Sequence, residues 1–163
     1  MHKTYDVFII LLQLFDIIIL GYYKQMMRSD TMGYNLEIGM KAEIEQVVLQ
    51  EHTAMAFGSG GVKVLATPMM IGLMEKAALT AVDETLGEGI STVGTIVNIK
   101  HMAATPVGMQ VRAVAVLTNI EGRKLTFDIE AYDEKEKIGE GTHERYIIEV
   151  AKFLKRVEGK TTK

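Results

Sequence analysis

The fold follows from one stretch, TPMMIGLMEKAALTAVDETLG, which occupies residues 67–87. Thr67 is expected to cap a helix at its N-terminus, with Pro68 at the first helical position. Gly87 is a typical terminator. The stretch therefore predicts one long helix over residues 67–86.

Glu75 lies outside the polar face of this helix. At about 100° per residue, one polar face is formed by Lys76, Thr80, Asp83 and Glu84. The neighbours of Glu75 on the helix surface are instead apolar, namely Ile71, Leu79, Val82 and Leu86. An isolated carboxylate against apolar packing is costly. We therefore expect either a polar companion for Glu75 from elsewhere in the fold or a helix rotation that brings it to solvent.

The composition excludes several classes of protein. A chain of 163 residues suits one domain with a hydrophobic core. Its formal net charge of -3, with no basic stripe, argues against a nucleic-acid partner. The sequence has no cysteine, which removes disulfides, thiolate zinc sites and a cysteine nucleophile and fits a cytoplasmic protein. The four histidines are scattered without metal-ligand spacing, so no metal site is expected.

The first 33 residues differ from the rest of the chain. Residues 7–20, VFIILLQLFDIIIL, are strongly apolar but short for a membrane span, and they contain Gln13 and Asp16. A signal peptide is also disfavoured, because the basic start is weak and no small-x-small cleavage site follows. We expect translation to begin at Met26, Met27 or Met32, and membrane contact is not expected. An interfacial or partner-packing helix is the alternative.

The rest of the chain predicts an α+β domain over residues 34–158, followed by a polar tail at residues 159–163. Five segments have strand patterns, at residues 36–49, 90–102, 109–119, 124–133 and 138–149, and a short helix is expected at residues 150–157. This order predicts a hotdog fold, with about five antiparallel strands wrapped around one long helix. A single layer of this kind leaves sheet edges to be covered, so at least a dimer is expected. Glycines at positions 58, 60 and 61 predict a mobile lid or a simple connector before the helix.

His101 is a candidate base at the end of the second predicted strand. Period-2 alternation places it on the core-facing side, together with Val93, Thr95, Val97 and Ile99. Glu75 would then face it from the helix, raise its pKa and orient its ring. Thr67 adds a hydroxyl and the helix N-terminus adds hydrogen-bond donors, a set that fits acyl transfer or hydrolysis. The alternatives are that Thr67 is only a cap, that His101 is structural, or that His143 takes the role of base.

Four separated motifs carry a more specific signal. They are LATPMMIGLMEKA at residues 65–77, STVGTIVNIKHMAATPVGMQV at 91–111, EGRKLTF at 121–127 and IGEGTHERYII at 138–148. In this order and spacing the chain resembles the fluoroacetyl-CoA thioesterase-like family of hotdog thioesterases, over residues 34–156. The resemblance implies hydrolysis of a short or medium acyl-CoA, without metal or organic cofactor, by a homodimer or dimer of dimers.

The resemblance also implies roles for individual residues. Thr67, Glu75 and His101 match the catalytic threonine, glutamate and histidine of the family. Gly94 matches a glycine whose backbone approaches the thioester, and Arg145 matches an arginine that contacts substrate or an interface. One departure concerns specificity, because glycines and a single Phe57 stand where the fluoroacetyl-specific member has phenylalanines that close its site. Fluoroacetyl specificity is therefore not expected, and an acyl-CoA-binding protein without turnover is the alternative function.

Overall fold

The computed structural model of the protein describes residues 33–161, and its long helix is the predicted one. Helix α2 spans Thr67–Leu86 and ends at Gly87, whose φ is 81°. The predicted N-cap was wrong by one residue. Ala66, in extended conformation, is the N-cap, no side chain caps the helix, and Pro68 lies in its first turn. The hydroxyl of Thr67 is therefore not used for capping.

The sheet has five antiparallel strands in the spatial order β1-β3-β4-β5-β2. The strands are β1 (Lys41–Val47), β2 (Ile90–His101), β3 (Gln110–Glu121), β4 (Lys124–Asp133) and β5 (Lys137–Glu149). All five predicted strands are confirmed. The first is shorter than predicted because a turn at residues 38–39 precedes it, with Gly39 at a φ of 95°.

Three helical segments accompany α2. A 3₁₀ turn at Gln50–His52 and the short helix α1 (Ala54–Phe57) precede it, and the sequence pattern predicted neither. Thr53 caps α1, its hydroxyl accepting a hydrogen bond from the Ala56 amide at 3.3 Å. The predicted C-terminal helix is confirmed as α3 (Val150–Glu158). No helix within residues 33–161 is long and apolar enough to cross a membrane, and the predictions for residues 1–32 lie outside the described residues.

The core lies between one side of α2 and the inner face of the sheet. The helix buries Met70, Leu73, Met74, Ala77, Ala78, Val82 and Leu86. Alternate residues of β3 and β4 face it, namely Val111, Ala113, Ala115, Leu117, Leu125, Phe127, Ile129 and Ala131. The alternation predicted for β4 is confirmed. Because five of these buried residues are alanines, the helix backbone can approach the sheet closely.

A β-bulge in β2 changes which of its side chains face the core. The pairing with β5 shifts between Gly94 and Ile96, which leaves Thr95 as the extra residue. Before the bulge, Thr92 lies opposite the buried Ile147, and beyond it Val97 lies opposite the buried His143. Residues directly opposite in an antiparallel pair share a face.

The predicted common face of β2 is therefore only partly correct. Val97, Ile99 and His101 do share the core side, as expected. Val93 lies on the opposite face and Thr95 is the bulged residue, because the bulge breaks the period-2 alternation that the prediction assumed.

The two edges of the sheet differ in character. The outward residues of β1 include Lys41, Glu43 and Glu45, and Glu43 forms an ion pair of 3.0 Å with Arg112 of β3. On β2, Ile96 is 53% exposed and Val97 is 37% exposed. The β2 edge is thus uncovered and partly apolar, whereas the β1 edge is charged.

Replacing Gly141 of β5 with alanine is expected to destabilise the sheet. A Cβ at this position would overlap the carbonyl oxygen of Asn98 on β2, so the two strands would have to separate. We expect the Gly141→Ala free energy of unfolding to fall by about 2 kcal/mol, as for other overpacked sites. Urea denaturation would measure it.

The matched control is Gly61→Ala, in the loop before α2. A Cβ there meets no atom within 4 Å and the backbone is not left-handed, so its free energy of unfolding should change by less than about 1 kcal/mol. Equal stability of the two variants would contradict the described β2–β5 packing.

Candidate active site

Thr67 and His101 form a hydrogen-bonded pair at one end of the sheet. Thr67 is the first residue of α2 and His101 is the last residue of β2. The Thr67 hydroxyl lies 2.8 Å from His101 Nδ1. With Nδ1 unprotonated, the hydroxyl donates to it. The side chain that the sequence suggested as a helix cap is thus directed at the candidate base.

Burial disfavours the charged form of the His101 imidazole. It lowers the pKa of His101 below its ordinary value of 6.5, and the backbone of Ala103 opposes this effect. Its Nε2 atom is buried and has no hydrogen-bond partner among residues 33–161. The sequence predicted a raised pKa through Glu75, and within one protomer the direction is the reverse.

Glu75 lies elsewhere on the helix and has a different partner. It is eight residues beyond Thr67, which corresponds to a rise of about 12 Å along an α-helix. Its carboxylate Oε2 lies 3.6 Å from Arg145 Nη1, and the glutamate side chain is 39% exposed. Both expectations for Glu75 are therefore met, since it has a polar companion and also reaches solvent.

Arg145, the partner of Glu75, is buried and makes several further hydrogen bonds. The residue is 5% exposed, and its Nε donates to the Thr92 hydroxyl at 2.7 Å. Its Nη2 donates to the Thr92 carbonyl at 2.8 Å, and its Nη1 donates to the Glu75 carbonyl at 3.4 Å. Burial lowers the pKa of Arg145, and the charges of Glu75 and Asp83 oppose this effect. The guanidinium thus joins helix α2 to strand β2.

His143, the competing candidate for the base, is enclosed beside Arg145. It is fully buried, and its Nε2 lies 3.1 Å from Arg145 Nη1, which can only donate. Nε2 is therefore the acceptor, and Nδ1–H donates to the Ile96 carbonyl at 2.8 Å. Both ring nitrogens are occupied by protein groups, so His143 has no free nitrogen to offer to a substrate.

Gly94 provides the space in which the Glu75 carboxylate lies. A Cβ on Gly94 would come within 2.8 Å of Glu75 Oε2 and 3.1 Å of His143 Cε1. Gly94 is itself exposed on the β2 edge. Any side chain here would have to displace the carboxylate.

The five candidate residues thus fall into two groups. Thr67 and His101 are together at the end of β2, and Glu75, Gly94 and Arg145 are together beside its bulge. Within residues 33–161 no cluster of three or more histidines, aspartates and glutamates could hold a metal ion. The chemical groups present are a hydroxyl, a neutral imidazole and a carboxylate beside a buried cation.

Sequence reasoning missed the connections made by Thr92 and His143. One signal was available, because His143, Arg145 and Ile147 alternate along β5 and so share a face. Thr92 could not be found in this way, since its contact depends on the pairing of β2 with β5.

Comparisons with known proteins agree with this architecture. Residues 48–151 match the family model described as fluoroacetyl-CoA-specific thioesterase. A fluoroacetyl-CoA thioesterase from Streptantibioticus cattleyicolor is 42% identical over 99 residues, which cover 61% of this chain and 71% of that protein.

Solved structures give the same result. A structure of the fluoroacetyl-CoA thioesterase FlK superposes with a TM-score of 0.74 at 34% identity and covers 78% of this chain and 98% of its own. A thioesterase superfamily member from Thermus thermophilus superposes with a TM-score of 0.69 at 33% identity, over 76% of this chain and 94% of that chain. A hot-dog-like protein from Thermanaerovibrio acidaminovorans, at 20% identity and a TM-score of 0.71, supports the hotdog fold. The chain therefore has the predicted α+β hotdog fold and belongs to the fluoroacetyl-CoA-specific thioesterase family, whose members are thioester hydrolases.

Proposed function

We propose that this protein is a homodimeric acyl-CoA thioesterase whose hotdog domain spans residues 34–158. Each active site is formed by Thr67 and His101 of one subunit and Glu75 of the other. The observation that carries the proposal is the geometry of His101, which is hydrogen-bonded to the Thr67 hydroxyl through Nδ1 and has a buried Nε2 without a partner within residues 33–161. A buried polar atom without a partner is rare and costly, so Nε2 calls for a group from outside residues 33–161, and we propose that a second subunit supplies it.

The β2 edge supports a second subunit as the source of that group. Its exposed backbone and its apolar Ile96 can pair with the same strand of another copy. In antiparallel pairing about a two-fold axis midway between Gly94 and His101, each His101 lies opposite the Gly94 of the other subunit. Since Glu75 Oε2 lies against Gly94, this pairing brings the Glu75 carboxylate of the second subunit to the free Nε2.

These groups supply the steps of thioester hydrolysis. His101 takes the proton from the attacking oxygen, which is the Thr67 hydroxyl or a water bound to it. The positive end of the α2 dipole at its N-terminus and the Gly94 backbone stabilise the oxyanion that forms on the thioester carbonyl. His101 then returns the proton to the departing thiolate, and Glu75 stabilises the imidazolium between these steps. If Thr67 is acylated, water repeats the sequence to release the acid.

The loop before α2 supports a broader acyl specificity than that of the fluoroacetyl-specific relative. Gly58 ends α1 in left-handed conformation, at a φ of 84°, and the glycines at positions 60 and 61 follow. Phe57, the last residue of α1, lies just before these glycines and is 52% exposed. We propose short or medium acyl-CoAs as substrates. The absence of cysteine supports a cytoplasmic location.

Purified protein is expected to release thiol from one or more acyl-CoAs in a panel from acetyl to decanoyl that includes fluoroacetyl. Glu75→Gln and His101→Gln should each lower kcat by roughly 100-fold or more, because each removes a group that acts on the proton in transit. Thermal unfolding would confirm that both variants fold. Tight binding of acyl-CoA without thiol release would instead favour an acyl-CoA-sensing protein.

Mixing variants tests the arrangement across two subunits. A purified heterodimer of one Glu75→Gln and one His101→Gln subunit should recover about half of the wild-type kcat, since one of its two sites is intact. The matched control pairs a wild-type subunit with one that carries both substitutions. That heterodimer should be inactive, because each site lacks one group.

The reverse pattern would contradict the proposal. If each subunit contained a complete site, the first heterodimer would be inactive and the control would keep half of the activity.

The pKa of His101 provides an independent test of the same contact. In the dimer, Glu75→Gln should lower the His101 pKa by about one unit or more, because it removes a neighbouring negative charge. Two-dimensional NMR of the imidazole resonances would measure it, with His143→Gln used to assign the signals. An unchanged His101 pKa would place Glu75 away from the base.

A further inference from the structure

The buried histidine His143 has no role in the steps above, yet it contacts Arg145 and both sides of the β2 bulge. Its Nδ1 donates to the Ile96 carbonyl on β2, and its Nε2 accepts from Arg145. Its Cε1 lies 3.1 Å from the position that a Gly94 Cβ would occupy. The ring therefore touches both sides of the β2 bulge, which lies between Gly94 and Ile96.

Arg145 and His143 each hold one side of this bulge. Arg145 holds the strand before it through the hydroxyl and carbonyl of Thr92. His143 holds the strand after it through the Ile96 carbonyl. Because the two side chains are themselves hydrogen-bonded at 3.1 Å, the bulge is held from both ends by one connected unit. Gly94 lies inside the held segment.

The same unit fixes the Glu75 carboxylate. Arg145 Nη1 lies 3.6 Å from Glu75 Oε2 and also contacts His143 Nε2. The His143 acceptor therefore helps to fix Nη1, together with the Glu75 carbonyl, while Thr92 holds Nε and Nη2. If this acceptor were lost, Nη1 would keep a buried N–H without its His143 partner, and the position of Nη1 beside the Glu75 carboxylate would be less closely fixed.

We infer that neutral His143 is a positioning residue, which holds the β2 bulge and, through Arg145, orients Glu75 for catalysis. This inference rests on the proposed function, in which Glu75 and the Gly94 backbone serve the thioesterase site. His143 does not touch the substrate. Its contribution is to keep two groups that act on the substrate at a fixed distance from each other.

The surroundings of His143 favour the neutral form that this role requires. Arg145 faces it on β5 and Glu75 faces it from α2, while β2 contributes the Ile96 carbonyl and β4 the Phe127 ring, with ring centroids 6.5 Å apart. Burial lowers the pKa of His143; the Arg145 charge adds to this effect, and the Ile96 carbonyl and Glu75 oppose it. Protonation would place an N–H against the Arg145 donor and break the contact.

The test compares His143→Gln, His143→Leu and the control Phe127→Leu. The glutamine amide offers one donor and one acceptor, as neutral imidazole does, whereas leucine offers neither. Phe127→Leu loosens the packing around the His143 ring and leaves both hydrogen bonds in place. We expect His143→Leu to lower kcat by roughly 100-fold, as a misplaced catalytic group does, with little change in KM.

The controls separate positioning from simple loss of stability. His143→Gln should recover most of the wild-type kcat, and Phe127→Leu should lose stability but keep its kcat. Equal kcat in His143→Leu and the wild type would overturn the inference. So would a loss of kcat in Phe127→Leu as large as that in His143→Leu.

A second readout remains valid even if no acyl-CoA is hydrolysed, an outcome that would refute the proposed function alone. A histidine with a lowered folded-state pKa gives stability that is present above pH 6.5 and is lost as the pH falls through the folded pKa. Urea denaturation between pH 7.5 and pH 5 should therefore show a smaller acid loss in His143→Gln than in the wild type. Identical pH dependence would overturn the inference that His143 must be neutral.

Discussion

The close packing of helix α2 on the sheet is the constraint on which the rest of this structure depends. Ala77 and Ala78 on the helix and Ala113, Ala115 and Ala131 on the strands are all fully buried. Small side chains on both surfaces leave the helix no freedom to shift or rotate without opening voids. The helix then acts as a rigid rod that fixes Thr67 at one end of the sheet and Glu75 about 12 Å further along.

That separation has a direct chemical result. A hydroxyl–imidazole pair and a carboxylate cannot meet within one protomer if one straight helix holds the hydroxyl and the carboxylate so far apart. The edge strand β2 is also extended, and Gly94 precedes His101 by seven residues along it. In two copies related by a two-fold axis, Glu75 of one copy can approach His101 of the other. This is why the proposed site needs two subunits.

Much of the fold could be predicted from local sequence patterns. The Leu125, Phe127 and Ile129 alternation fixed the inner face of β4, and Thr67 to Gly87 marked the long helix, because both signals depend on neighbours along the chain. The bulge at Thr95 could not be predicted, since it arises from pairing with β5. For the same reason the need of Glu75 for a polar partner could be predicted, whereas its identity as Arg145, 70 residues away, could not.

The two sheet edges differ in their tendency to pair with further copies of the chain. An exposed strand edge can pair with another copy of the chain. If both edges of a sheet can pair in this way, the sheet grows without limit into a fibre. In the sheet formed by residues 33–161, Glu43 and Glu45 charge the β1 edge, while the β2 edge carries the exposed Ile96. If two β2 strands pair as proposed, both outer edges of the joined sheet are β1 strands with charged outward residues, and charged edges disfavour pairing with further copies. The proposed dimer would thus use one edge for its active site and still resist end-to-end polymerisation.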